Sequence, residues 1–145
     1  MVVVEKSVLV FYSAQQMFAL VDRIEDYSSF LPWCSGTEVM RHSEEALEAT
    51  VNIDYHHLKQ SFTTENVRQV PNMIEMRFRH GPFSHLEGSW KFVQLEENAC
   101  KIEFKLHYEF SSKIMEKMVS PVFNHIANSF VEAFVQRAAE IYGEP

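Results

Sequence analysis

The sequence predicts an α+β fold: a curved antiparallel sheet of about seven strands wrapped round one long C-terminal helix, with two short helices after the first strand. Three observations carry it. From Ser112 to Tyr142 apolar residues recur at three- and four-residue steps, which is one stripe at helical period. Between Thr37 and Phe110 the period falls to two, and short turn signals separate the runs. The N-terminal segment is β-branched and is followed by two brief helical runs. At 145 residues the chain is expected to form one domain over residues 1–145, with a sizeable core.

Val2 to Val10 is β-branched and apolar apart from Glu5, Lys6 and Ser7, and reads as the first strand. Ser13 follows as an N-cap, and Gln16 three residues on completes a capping box before Met17, Phe18, Leu20 and Val21. A second short helix is expected over Glu25 to Leu31, ended by Pro32. Thr37 to His42 and Ala46 to His56 read as a hairpin around Ser43-Glu44-Glu45. In the second of these strands Leu47, Ala49, Val51, Ile53 and Tyr55 share a face. Gln60 to Val70 is a more polar strand, turned by Pro71-Asn72 into Met73 to Arg79 with Ile74, Met76 and Phe78 on one side. Gly81-Pro82 turns the chain into Phe83 to Leu95, where Leu86, Gly88, Trp90 and Phe92 share a face. Gly88 inside a strong strand is expected to mark a bend or bulge. After Glu96-Glu97-Asn98, the strand Lys101 to Phe110 alternates most cleanly, with Ile102, Phe104, Leu106, Tyr108 and Phe110 together.

The final helix carries Ile114, Met118, Val122, Ile126, Phe130, Phe134, Ala138 and Ile141 as its stripe. Glu116, Lys117, Asn124, Asn128, Glu132, Gln136 and Glu140 lie opposite. Ser111 or Ser112 caps its start and Gly143 its end, and Pro121 is expected to kink or divide it. Each strand has one apolar face, and a single sheet needs one cover. Only this helix is long and apolar enough to provide it. Seven strands twist and curl, so the sheet grips the helix.

Composition narrows the function classes. The net charge of −7 argues mildly against broad nucleic-acid binding, DNA included. Two cysteines, Cys34 and Cys100, read as reduced thiols. The start of the chain does not read as a signal peptide, and no apolar run reaches the roughly 20 residues of a membrane span. Among seven histidines, His56, His57, His80, His85 and His125 show no spacing typical of a metal site. No nucleophile has a sequence-level base, and the apolar strand faces carry almost no ionisable residue, so no catalytic residue is nominated.

The inward set is bulky: Tyr55, Phe78, Trp90, Phe104, Tyr108, Phe110, Phe123, Phe130 and Phe134. It fits a close-packed aromatic core, and it equally fits an apolar pocket between sheet and helix. Met73, Met76, Met115 and Met118 suit either.

Three segments carry a family resemblance: Tyr27-Ser28-Ser29-Phe30-Leu31-Pro32-Trp33-Cys34, Leu86-Glu87-Gly88-Ser89-Trp90-Lys91-Phe92, and Ala133-Phe134-Val135-Gln136-Arg137-Ala138. Together they make the chain similar, over its whole length, to the coenzyme-Q-binding and ribosome-association-toxin family of the START-like, polyketide-cyclase-like superfamily. The expectation of no enzyme activity comes from the apolar faces, which carry almost no ionisable residue. The resemblance implies a helix-grip fold with a deep apolar cavity. It implies ubiquinone or a similar prenyl lipid as ligand rather than a catalytic cofactor, in support of respiration. For close bacterial members it implies binding to the large ribosomal subunit and blocking of subunit association. The expected setting is a bacterial cytoplasm with at most transient membrane contact.

The candidate lining is Val51, Ile53 and Tyr55, then Met76 and Phe78, Leu86 and Trp90, Phe104 and Leu106, and Phe130 and Phe134 of the helix. Pro32-Trp33 places an indole at the cavity mouth, or else seals the sheet end with Tyr27 and Phe30. Arg77, Arg79 and Lys105 fall on the outward face. They offer a contact for ribosomal RNA phosphates, or share a solvated face with Glu75, Glu103 and Glu109.

Overall fold

The computed structural model describes residues 1–145. Its elements run β1 (Val2–Val10), α1 (Ala14–Asp22), a 3-10 helix (Ile24–Ser29), β2 (Cys34–Arg41), β3 (Ala46–Tyr55), β4 (Leu58–Gln69), β5 (Met73–His80), β6 (Phe83–Glu96), β7 (Ala99–Phe110) and α2 (Lys113–Tyr142). The seven strands form one antiparallel sheet in the order β1-β7-β6-β5-β4-β3-β2. Strands β2 to β7 are a meander, each paired with the next in sequence. Strand β1 pairs with β7, Val2 opposite Tyr108 and Val10 opposite Cys100. The two helical segments after β1 therefore carry the chain from one sheet edge to the other.

Local chemistry explains the helix ends. The Ser13 hydroxyl accepts from the Gln16 amide at 3.1 Å while the Gln16 side chain accepts from the Ser13 amide at 2.9 Å. This is the predicted capping box. The second helix is a 3-10 segment rather than an α-helix, and it is short. A six-residue stretch stopped by Pro32 is too brief to settle into an α ladder. Ser112 caps α2, its hydroxyl accepting from the Met115 amide at 3.1 Å. At the far end Tyr12 donates to the Gly143 carbonyl at 2.8 Å and Tyr142 to the Gln16 carbonyl at 2.9 Å. Those two bonds tie the end of α2 to the start of α1.

Three expectations are corrected. First, α2 is not divided at Pro121, which lies on the exposed side of one continuous helix. Water can take up the carbonyl that the missing amide hydrogen leaves free there. Second, the buried face of α2 is Val119, Val122, Phe123, Ile126, Ala127, Val131, Phe134 and Ala138. Ile114, Met118 and Ile141 are exposed; at Met118 the neighbouring Val119 is fully buried, so the buried stripe is turned relative to the expected one. Third, Gly88 sits in regular register opposite Met76 and Leu106. The irregularities of β6 lie instead at Phe83/His85 and Gln94/Glu96. Gly88 is required for close approach: a Cβ there would stand 2.8 Å from the Met76 methyl and 3.0 Å from the Lys105 carbonyl.

The connection between β3 and β4 has two residues, His56 and His57, with φ of 49° and 66°. Positive φ at both positions is what a two-residue hairpin turn demands.

Candidate functional site

The sheet's concave face and α2 do not meet everywhere. Phe130 packs against Trp33, Trp90, Phe104 and Tyr27, with ring centroids 5.7–6.1 Å apart. Seven residues earlier, Phe123 packs against Phe62, Phe83 and Tyr108 at 4.8–5.7 Å. Both rings lie on one helix face, and between them stand Ile126 and the small Ala127. Across the gap, β3 presents another small side chain, Ala49. Aromatic pillars hold sheet and helix apart, and two alanines fail to fill the space between.

The result is a cavity of about 70 Å³ within which the centre of a water molecule can move. Fourteen of its sixteen lining residues are hydrophobic. Thirteen are buried; Phe62, Met76 and Phe130 are half-buried. At about 10–15 Å³ per water, the space holds some five waters or one small ring. A prenyl tail enters only if the lining gives way, and the half-buried members are Met76, with its flexible thioether, Phe62 and Phe130.

The two polar members, Thr64 and Asn66, come from β4 and are both buried. The Thr64 hydroxyl donates to Asn66 Oδ1 at 2.8 Å. Tyr27 also lines the cavity, but its hydroxyl donates to the Val21 carbonyl. Burial holds the Tyr27 phenol in its neutral form far above its usual range, with Asp22 adding to the effect. Next to the cavity, Tyr108 donates to Asn124 Oδ1, and burial pushes its phenol up to about 12. Asn124 is thus a partner for the core rather than part of a solvated face. No carboxylate, lysine, arginine or histidine lines the cavity.

Among the sequence candidates, Trp33, Val51, Met76, Leu86, Phe104, Leu106 and Phe130 come together around this space. Ile53, Tyr55, Phe78, Trp90 and Phe134 do not line it. Trp90 and Phe134 are sealed in aromatic packing one layer away, 5.5 Å apart. Phe78 packs on Phe83 at 6.0 Å, and Tyr55 stacks over His125 at 6.2 Å near the hairpin end. Ile53 is buried beyond the cavity's end of β3, opposite Cys34. The correction has one cause: a shared sheet face spans more length than one cavity. The candidate lining left out Ile24, Phe62, Thr64, Asn66 and Ala127, and also Tyr27, Ala49, Phe123 and Ile126, which the sequence placed inward or near the mouth without assigning them to the cavity. The signal was there in two forms: small residues on otherwise bulky faces, and a polar alternation in β4 that points inward.

On the convex side, a groove holds Arg77, Lys91, Lys105 and His107, interspersed with Glu75 and Glu87. Arg77 pairs with Glu75 at 3.6 Å, while Lys91 and Lys105 have no carboxylate within 4.0 Å. Arg79 is not part of the groove: it pairs with Glu65 at 2.5 Å and holds that carboxyl below its usual range. Lys91 takes its place.

Comparison with known proteins is consistent over the whole chain. Residues 10–135 match the family described as polyketide cyclase / dehydrase and lipid transport. The chain is 42% identical to the ribosome association toxin RatA of Vibrio cholerae, covering 97% of this chain and 98% of that protein. It is 25% identical to the mitochondrial coenzyme Q-binding protein COQ10 of Drosophila melanogaster, over 97% of this chain and 60% of that protein. The Zhui aromatase/cyclase of Streptomyces shares the fold with a TM-score of 0.84, covering 99% of each chain at 13% identity.

Proposed function

The chain belongs to the polyketide cyclase / dehydrase and lipid transport family, in the START-like group that holds the RatA and coenzyme-Q-binding relatives, and from that premise we propose that it binds an apolar ligand, a prenyl quinone, between β-sheet and α2. One observation carries the reading: an enclosed cavity whose lining is hydrophobic except for one hydrogen-bonded pair. Apolar burial supplies the affinity, about 0.8 kcal/mol for each methylene taken from water. The role is carriage rather than catalysis. A cyclase needs an acid or base at the substrate, and the lining offers none; its one phenol is engaged with backbone. The close relatives carry names of binding and association rather than of enzymes. No helix is long and apolar enough to cross a membrane. We place the chain in the cytoplasm.

The test is saturable binding of a short-chain ubiquinone, read by tryptophan fluorescence, since Trp33 lines the cavity. Ala127→Leu fills the gap between Phe123 and Phe130 and is expected to abolish binding while the chain stays folded. Unchanged binding in that variant moves the ligand elsewhere.

A second reading has its own observation. Lys91 and Lys105 stand without carboxylate partners beside Arg77 and His107 in the convex groove, and the relatives at high identity are named for ribosome association. We propose this face as the contact for the large ribosomal subunit, a second site on the fold that shares only Met76 with the cavity. Lys91→Glu with Lys105→Glu is expected to abolish cosedimentation with that subunit. Cosedimentation that survives both changes removes the groove from the proposal.

A further inference from the structure

We infer that Asn66 receives the polar end of the ligand, and that this end is a hydrogen-bond acceptor, a carbonyl oxygen above all. The inference rests on the cavity being the ligand site.

Asn66 is 6% exposed and Thr64 is 7% exposed, so both side chains are more than nine-tenths buried. The Thr64 hydroxyl occupies Asn66 Oδ1 at 2.8 Å, which leaves the amide nitrogen as the group to be satisfied. That nitrogen has no hydrogen-bond partner in the protein. Its neighbours across the sheet are Leu47 on β3 and Met76 on β5, and neither side chain offers an oxygen. Nor is it walled in: the one fully enclosed side-chain nitrogen or oxygen without a partner is Trp90 Nε1. Asn66 lines the cavity, and its amide nitrogen is not among the fully enclosed atoms, so the cavity is where an acceptor could reach it.

A leucine at this position would pack the cavity wall and leave no donor bare. The asparagine is a local cost of folding, because a buried amide without an acceptor is unfavourable. A ligand oxygen placed in the cavity recovers it. Oδ1 already accepts from Thr64, so the wholly unpaired groups of the side chain are its two N–H donors. It selects for a ligand with lone pairs and no need to donate: a quinone carbonyl, a ketone or an ester. An oxygen-free hydrocarbon of the same length fills the space but leaves the amide bare. Site-level discrimination of this kind comes from the unpaired polar group more than from the pair.

The experiment uses the full chain and two probes: a ubiquinone with two isoprene units, and farnesene, a hydrocarbon with no oxygen. Asn66→Leu is expected to lose about tenfold in affinity for the quinone, the value of one lost hydrogen bond, and to keep or improve its affinity for farnesene. Its melting temperature is expected to hold or rise. Thr64→Val lets the amide turn, and is expected to cost the quinone about threefold, a fraction of that same bond. Unchanged quinone affinity in Asn66→Leu overturns the inference while the cavity stands. An equal loss for both probes also overturns it, since that is the mark of a merely structural residue. Failure of the quinone to saturate the wild-type chain overturns the cavity reading and this inference with it.

Discussion

Trp90 is fully buried, and its indole nitrogen finds no acceptor. Its rings are held by Phe92, Phe104, Phe130 and Phe134, so its contribution is packing alone. Trp90→Phe removes the orphaned donor with little loss of volume, and is expected to change stability by less than about 1.5 kcal/mol. Trp90→Ala leaves a cavity and is expected to cost about 3–5 kcal/mol in urea unfolding. Cys100 is a second residue whose environment has a measurable consequence. Burial pushes its thiol from 9.0 up to about 11. The unfolded chain then releases the proton first, so stability is fully present below pH 9 and falls as pH rises from 9 towards about 11. Cys100→Ala is expected to flatten that part of the stability–pH curve. A parallel fall in the variant assigns the loss to other groups, such as Tyr108.

At the scale of elements, the β3–β4 hairpin turns on two histidines held at positive φ. Histidine tolerates this conformation less well than asparagine or glycine. Replacing the pair as His56→Asn with His57→Gly is expected to stabilise the fold by about 1 kcal/mol, checked by thermal melting. Another element-level contact is Arg68 of β4, which reaches Asp22 at the end of α1 with bonds of 2.6 and 2.8 Å. It also donates to the Glu44 carbonyl and lies 5.7 Å from the Phe18 ring. Both charged side chains are mostly buried, so Arg68→Ala is expected to cost about 2–3 kcal/mol rather than the small value of a surface pair. Gly88 is the thin point of the sheet. Gly88→Ala drives a methyl against Met76 and the Lys105 carbonyl, with an expected cost of about 1–3 kcal/mol. Because Met76 lines the cavity, the same change is expected to weaken ligand binding.

For the whole molecule, the cavity is smaller than the ligand proposed for it, so binding and flexibility are linked. The cavity is in its narrow form here, and a ligand that holds Met76 and Phe62 aside would stabilise a wider one. Met76→Ala removes part of the obstruction. It is expected to raise quinone affinity and to lower stability by about 1–3 kcal/mol, a pairing that calorimetry of ligand-free and ligand-bound protein detects. Weaker binding in this variant would mean that Met76 grips the ligand instead of blocking it. The convex groove is not insulated from this equilibrium: Met76 lines both the groove that holds Lys91 and Lys105 and the cavity on the other side of the sheet.

The order of elements, the antiparallel meander, both serine caps and the inward faces of β3, β5, β6 and β7 were legible in the sequence, because each depends on periodicity or on neighbours within a few residues. The family was legible in a short run, Tyr27 to Cys34, because its residue types are improbable by chance. The limits of the cavity were not. Leu86 and Trp90 share a strand face, yet one lines the space and the other is sealed behind it. That difference depends on where α2 lies across the sheet. Likewise β4 reads only as a more polar strand with no face assigned, and the fold is what turns Thr64 and Asn66 into the interior. Local pattern determines which way a side chain points. What it meets there is set by the packing of residues far apart in the chain, such as Ala49 against Ala127.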